Sequence, residues 1–335
     1  MAVTLKEVAE RAGVSRSAVS RAFTDGASVS GKMRRRVEKA AQELGYSPNA
    51  LASSLTTGRT KLIGLVSNNF KNPFFLSAFD LFTSGLQDRG LRPLLVNLTG
   101  DQGPEESVQM LRQYSVDGVI VASSTVPPSF AASFEKADIP VVFAFARYKD
   151  STNANLVGID NVAAGAFAAR TLIERGYKHI GFLGGPENAV STSDRFQGFA
   201  AEMAAHPELK FSHAYSDEYS FAAGRTAMLG LLDSGQHAEV YFGADDVISI
   251  GALSAMQSRG MKVPEDIGIL GLNDMEMAGW ENINLTTIRQ PIRQITSAAV
   301  DLMVSQLETP DRYPEARLFP CTLIERGTLR KGPNA

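Results

Sequence analysis

The chain has 335 residues, 44% of them apolar, enough for more than one hydrophobic core, and no apolar run nears the roughly 20 residues of a membrane span. With no basic, apolar leader at its start and a single cysteine, Cys321, it reads as a cytoplasmic protein without a membrane partner or an internal disulfide. The net charge of −3 hides an asymmetry: residues 1–61 hold eleven Lys or Arg against five Asp or Glu, so a basic head, suited to a polyanion or to plain solvation, precedes an acidic body.

Thr4-Leu5-Lys6-Glu7 has the hydroxyl and carboxylate spacing of a capping box and predicts a helix start, with Leu5, Val8, Ala9 and Ala12 on one face. Gly13 then allows a turn before a second cap at Ser15. The next helix turns Ala18, Val19, Ala22 and Phe23 toward a small core and leaves Arg16, Ser17, Ser20 and Arg21 on the other side. Short polar groups beside guanidinium groups suit a DNA major groove, and they equally suit a solvated face. A third helix has Ser30 as its cap, Met33, Val37, Ala41 and Leu44 as its stripe and Gly45 as its stop. Arg34, Arg35 and Arg36 lie off that stripe, for phosphate contact or for solvent.

In Ser47-Pro48-Asn49-Ala50-Leu51-Ala52-Ser53-Ser54-Leu55, helix formers sit between a proline and the stop Thr56-Thr57-Gly58. The segment is well short of the ~12–15 residues that an isolated helix needs, so it is expected to fray when alone. From Leu62 onward, short apolar runs alternate with helical stretches, first at Leu62–Val66, Leu91–Leu98, Gly118–Ala122 and Val141–Ala146. A second series runs through Leu156–Ile159, Ile180–Leu183, Phe211–Tyr215, Glu239–Gly243 and Ile267–Leu272. This βαβ rhythm predicts two parallel sheets and two lobes.

Val3-Thr4-Leu5, Val8-Ala9, Ala12-Gly13-Val14-Ser15, Val19-Ser20-Arg21 and Leu44-Gly45-Tyr46-Ser47-Pro48-Asn49 resemble the headpiece of the lactose-repressor/galactose-repressor family of bacterial transcription regulators. The resemblance implies an all-α helix-turn-helix headpiece over 1–47, a hinge over 48–60 and an α/β two-lobed, periplasmic-binding-protein-like body over 61–330 that binds effector and dimerises. The N-lobe would take about 61–161 and 291–319, and the C-lobe about 162–290 and 320–330. It further implies base reading by Arg16, Ser17 and Arg21, backbone contact by Ser15, Ser30, Tyr46 and Asn49, and minor-groove insertion of Leu55 with Ala52 one turn earlier. The expected partners are double-stranded operator DNA, a second copy of the chain and a small, sugar-like effector.

Effector contacts are expected from Phe74 and Phe75 after the first strand, Arg147 after the strand at 141–146, Asp160 at a lobe crossing, and Arg195 in Asp194-Arg195-Phe196-Gln197-Gly198-Phe199. Asp245, Asn273 and Gln290 complete the set. At two of these positions acid and amide stand exchanged against the common family pattern: Ala244-Asp245-Asp246 where Asn-Asp is usual, and Gly271-Leu272-Asn273-Asp274 where Gly-apolar-Asp-Asp is usual. Asp274 reads as a cap for the next segment. The histidines at 179, 206, 213 and 237 have no metal-ligand spacing, Gly184-Gly185 lacks the rest of a phosphate loop, and no Gly-x-Ser-x-Gly elbow occurs. Neither a cofactor, a metal nor an enzyme activity is therefore expected. A solute-binding protein and a cytoplasmic sugar-modifying enzyme are the alternatives on the same two-lobed fold.

Overall fold

The computed structural model describes residues 3–24, 27–47, 58–98, 104–123, 133–134, 136–146 and 154–332. The described chain divides into a unit ending at Lys61 and a second unit beginning at Leu62.

The first unit is built by three capped helices: α1 (Leu5–Ala12), α2 (Arg16–Ala22) and α3 (Gly31–Leu44). The capping box at Thr4 is complete, its N–H donating to Glu7 Oε2 at 2.7 Å and its hydroxyl accepting from the Glu7 N–H at 3.4 Å. The bond from the Thr4 N–H, together with one that the Thr4 hydroxyl donates to the same Oε2 at 2.7 Å, holds the Glu7 carboxyl below its usual range. Gly13, at φ 59°, turns the chain into α2 with the left-handed geometry that only glycine adopts freely. Val8, Ala9, Ala12, Val19, Ala22, Val37, Ala40 and Ala41 form the core, closed by the rings of Phe23 and Tyr46, 6.0 Å apart. These small side chains let three short helices approach closely, since none has enough apolar surface to stand alone.

The second unit carries two six-stranded sheets. Its first lobe contains β1 (Leu62–Ser67), α4 (Pro73–Asp88), β2 (Arg92–Asn97), α5 (Pro104–Gln113), β3 (Gly118–Ala122), β4 (Val141–Ala144) and β5 (Asn155–Gly158). The chain then enters the second lobe with α6 (Asn161–Ile173), β6 (His179–Gly184), α7 (Val190–Ala204), β7 (Lys210–Tyr215) and α8 (Phe221–Asp233). That lobe continues through β8 (Val240–Gly243), α9 (Asp246–Ser258), β9 (Gly268–Asn273) and β10 (Thr287–Arg289). The chain returns for α10 (Ile292–Glu308) and β11 (Ala316–Leu318), and crosses a last time to β12 (Thr322–Ile324).

Strand order is β11-β5-β4-β3-β1-β2 in one sheet and β12-β10-β9-β8-β6-β7 in the other. Every pairing is parallel except that of β10 with β12. Strands β3, β4, β5, β8 and β9 are buried along their whole length, as helices on both faces require. No helix among the described residues is long and apolar enough to cross a membrane.

Helices α6 and α7 pack backbone against backbone through two glycines. A Cβ on Gly165 would lie 2.0 Å from the Arg195 carbonyl oxygen, and one on Gly198 would lie 1.8 Å from that of Val162. The absence of both methyl groups lets the two helices approach this closely. Gly165→Ala is expected to lower stability by about 1–3 kcal/mol, the cost of overpacking a close contact, which the urea denaturation midpoint will show.

Candidate functional site

In the first unit, the Ser15 hydroxyl accepts from the Ala18 N–H at 3.2 Å and so starts α2 beside its exposed first turn. Arg16, Ser17 and Arg21 are exposed, while Ala18, Val19 and Ala22 are buried beneath them. The Ser15 and Ser17 hydroxyl oxygens lie 3.0 Å apart, so a hydrogen bond fixes the rotamer of each. Ser30 caps α3 through the Met33 N–H, and Tyr46 packs on Phe23. Asn49, Ala52 and Leu55 lie outside the described residues.

The three consecutive arginines of α3 are not equivalent. Arg34 donates to the carbonyl of Ala22 at the end of α2, and Arg36 Nη2 donates to that of Gly13 at 2.8 Å. These two side chains tie α3 to the turns at either end of α2; Arg34 is half-buried in doing so, whereas Arg35 and Arg36 are exposed.

In the second unit, the carboxyl ends of strands from both sheets converge on one small cavity of about 10 Å³, closed down by the side chains that line it. The first lobe contributes Asn69, Asn72, Phe74 and Phe75 after β1, Phe145 after β4, and Ile159 after β5. The second contributes Asn161, Arg195, Tyr219, Asp245, Asn273 and Gln290. Loops at strand carboxyl ends are where parallel α/β sheets hold their ligands, because the main-chain direction brings helix N-termini there.

The polar groups are tied to one another. Asn72 caps α4, its Oδ1 accepting from the Phe74 N–H at 3.0 Å, and its Nδ2 crosses to the other lobe to donate to Asp245 Oδ2 at 3.0 Å. Asp245 caps α9 through the Val247 N–H at 2.8 Å and accepts from Asn273 Nδ2 at 2.9 Å. Gln290 donates in turn to Asn273 Oδ1. Arg195 Nε donates to Asn161 Oδ1 at 2.9 Å, and its Nη1 to the Ala244 carbonyl at 2.5 Å.

On the apolar side, the ring of Phe145 meets those of Phe74 and Phe75 edge-on at centroid distances of 5.2 and 5.9 Å. Two lining residues hold left-handed backbone, Phe145 at φ 64° and Asn273 at φ 129°. Such conformations cost energy in non-glycine residues and concentrate at binding sites.

Phe74, Phe75, Arg195, Asp245, Asn273 and Gln290 thus meet in one place, and Arg147 lies outside the described residues. Asp160 does not join them. It is exposed and caps α6 through the Ala163 N–H at 2.9 Å, while its neighbour Asn161 turns into the cavity. Asp274 is no cap either: its two oxygens accept from Arg289 Nε and Arg326 Nη2, each at 2.6 Å. Sequence reasoning missed Asn69, Asn72, Phe145, Ile159, Asn161 and Tyr219 as lining residues. Asn72-Pro73 had a visible signal, an amide cap ahead of a proline at the helix start, whereas Tyr219 comes after β7 and reaches the cavity only through the topology.

Burial raises the pKa of Asp245, opposed by the bonds from Val247, Asn72 and Asn273 and by the charge of Arg195. Burial also lifts Cys321 to about 11, so its thiol stays protonated. Among the described residues, no group of three or more His, Cys, Asp or Glu could hold a metal ion.

A capped helix-turn-helix with an exposed arginine face, carried on a two-lobed body with a polar interlobe cleft, defines a ligand-controlled DNA-binding regulator. The comparisons make that class specific. Residues 4–49 match the family described as bacterial regulatory proteins, lacI family, and residues 169–329 match the periplasmic binding protein-like domain. The HTH-type transcriptional repressor CytR of Escherichia coli strain K12 is 30% identical over 339 residues, spanning 99% of this chain and 98% of CytR. The repressor PurR of Edwardsiella ictaluri is 29% identical, spanning 98% of each chain. Among solved structures, the Lac repressor dimer bound to operator and the anti-inducer ONPF superposes with a TM-score of 0.87 at 26% identity, over 98% of this chain and 100% of that one. The chain belongs to the lacI family of bacterial regulatory proteins.

Beside the cavity, Asp246 is fully buried and accepts from the Thr287 hydroxyl at 2.6 Å and the Met275 N–H at 2.8 Å. Burial, the dominant cause, moves its pKa from 3.8 to about 7. The folded protein therefore binds this proton more tightly than the unfolded chain. The stability that this proton confers is complete below pH 3.8 and is lost as pH rises through 7. Relative to Asp246→Asn, which has no such proton to lose, the wild type should show a urea midpoint that falls across that window.

Proposed function

We propose that this chain is a transcriptional repressor that binds a two-fold operator as a dimer, α2 entering the major groove, with affinity set by a small sugar-like effector in the interlobe cleft. The observation that supports this most strongly is the pairing, in one lacI-family chain, of the exposed Arg16-Ser17-Arg21 face with a cleft whose polar side chains converge from strand ends and, at Arg195, from α7. Acting on chromosomal DNA places it in the cytoplasm.

On this reading Arg16 and Ser17 reach base edges, with Arg21 beside them. Arg16 has the fork geometry that bonds guanine O6 and N7 together. Ser15, Ser30, Tyr46 and Asn49 hold the phosphate backbone and fix register. One headpiece spans too few base pairs for genomic specificity, and a dimer reads two half-sites. Leu55, with Ala52, serves as the wedge at the operator centre.

In the cleft, Arg195 and Asp245 offer a donor fork and a buried acceptor, Asn273 and Gln290 offer amides, and Phe74, Phe75 and Phe145 form an apolar wall. That combination matches the two faces of a sugar ring, one of C–H groups and one of hydroxyls. The chemistry asked of these residues is binding, and no step requires a nucleophile or a cofactor.

Fluorescence anisotropy with a palindromic duplex tests this directly. Specific affinity should fall steeply with salt, as counterion release demands, and should change when the effector found in a sugar screen is added. Arg16→Ala should cost about 1–3 kcal/mol on the operator and relax preference at one base pair per half-site. An equal loss on random DNA would refute base reading by Arg16.

A further inference from the structure

Resting on the proposed base reading by Ser17 and phosphate contact by Ser15, we infer that Ser15 fixes the direction of the Ser17 hydroxyl, so that Ser17 only accepts from a base. The base it reads is then one that presents an exocyclic amino group in the major groove, adenine or cytosine on the contacted strand. Guanine and thymine, which turn keto oxygens to the groove, are rejected.

The hydroxyl protons set the direction. A serine hydroxyl has one proton to donate and two lone pairs that accept. One lone pair of Ser15 Oγ takes the Ala18 N–H at 3.2 Å, and Ser17 Oγ lies 3.0 Å from the same atom. A phosphate oxygen only accepts, so on DNA the Ser15 proton goes to the phosphate. The bond between the two serines is then donated by Ser17 to the second lone pair of Ser15. That uses the single Ser17 proton and leaves its two lone pairs on the exposed face of α2. An unlinked serine reads either kind of base edge because its hydroxyl rotates to suit, and this one has lost that choice.

The frame around the pair holds it in place. The Val14 N–H donates to the Ala9 carbonyl at 3.0 Å and Arg36 Nη2 to that of Gly13 at 2.8 Å, so the turn leading into Ser15 is tied to both α1 and α3. Beneath the serines Ala18 and Val19 are buried, which fixes the rotation of α2 about its own axis. A base position sorted by amino against keto group sets adenine and cytosine against guanine and thymine. A contact that senses ring size sets adenine and guanine against the other two, and one that senses pairing strength sets adenine and thymine against the other two. The order of the four bases therefore identifies an acceptor at that position.

Selection of duplexes from a random-sequence library by the full chain, read by sequencing, gives the base preference at every half-site position. At the position whose preference Ser17→Ala flattens, the wild type should favour adenine or cytosine over guanine and thymine by about tenfold, the scale of one mismatched base pair. Ser15→Thr keeps a hydroxyl and should keep that order. Ser15→Gly preserves most of the cap but removes the acceptor, and should narrow the gap to about twofold. A second measurement needs no variant at position 15: deleting only the amino group of the preferred base, with nebularine for adenine or 2-pyrimidinone for cytosine, should weaken wild-type binding about fivefold and leave Ser17→Ala unmoved. A guanine or thymine preference at that position, an order that Ser15→Gly leaves unchanged, or indifference of the wild type to the missing amino group overturns the inference and leaves base reading by Ser17 standing. If Ser17→Ala flattens no position while the chain still selects an operator, base reading by Ser17 fails with it.

Discussion

One buried carboxylate organises the cleft. Asp245 is 4% exposed, yet its two oxygens accept from a backbone N–H and from two side-chain amides, one of which comes from the opposite lobe. A charge so placed costs several kcal/mol in lost hydration, and it is tolerated only because every bond is made and the Arg195 guanidinium is near. The neighbours are therefore not free to vary independently. Asn273 must hold its amide toward Asp245, and Gln290 must hold Asn273; the left-handed backbone at Asn273 is the conformational cost of that chain of bonds.

The exchange of acid and amide between positions 245 and 273 has its reason in the same arrangement. As the N-cap of α9, position 245 places its carboxylate on a helix N-terminus, where the dipole and an orphan N–H favour negative charge. An amide at 273 can then donate to that carboxylate and accept from Gln290, a double role that an acid could not fill while ionised. Transposing the two residues keeps the local charge and turns its donors and acceptors around.

Much of this was legible in the sequence. Cap residues at Thr4, Ser15 and Ser30 and the glycines at 13 and 45 mark the headpiece because helix ends have local, unavoidable hydrogen-bond needs. The apolar runs mark the strands because parallel sheets are buried on both faces, and their bounds move by a residue or two. Side-chain direction was less legible. Asp160 and Asn161 are adjacent polar residues at one lobe crossing, and which of them caps the helix and which faces the cavity depends on the backbone turn between β5 and α6. The arginines of α3 show the same limit: Arg34 and Arg36 satisfy carbonyls 12 and 23 residues away, partners that no periodicity brings together.

The bond from Asn72 to Asp245 links the lobes directly at the cavity. It is made by a donor, so a ligand hydroxyl can replace it at the carboxylate without leaving a buried charge unsatisfied, while Asn72 keeps its cap through its other atom, Oδ1. A ligand changes the balance between two arrangements of the lobes only by the difference in its affinity for each. Displacing Asn72 at Asp245 supplies such a difference, because it exchanges a bond that holds the lobes to each other for one that holds the ligand to the second lobe. A ligand that also touches Phe74 and Phe75 restores the link through its own body. The size and reach of the bound molecule, more than the strength of any single contact, then determine whether the lobes stay clasped.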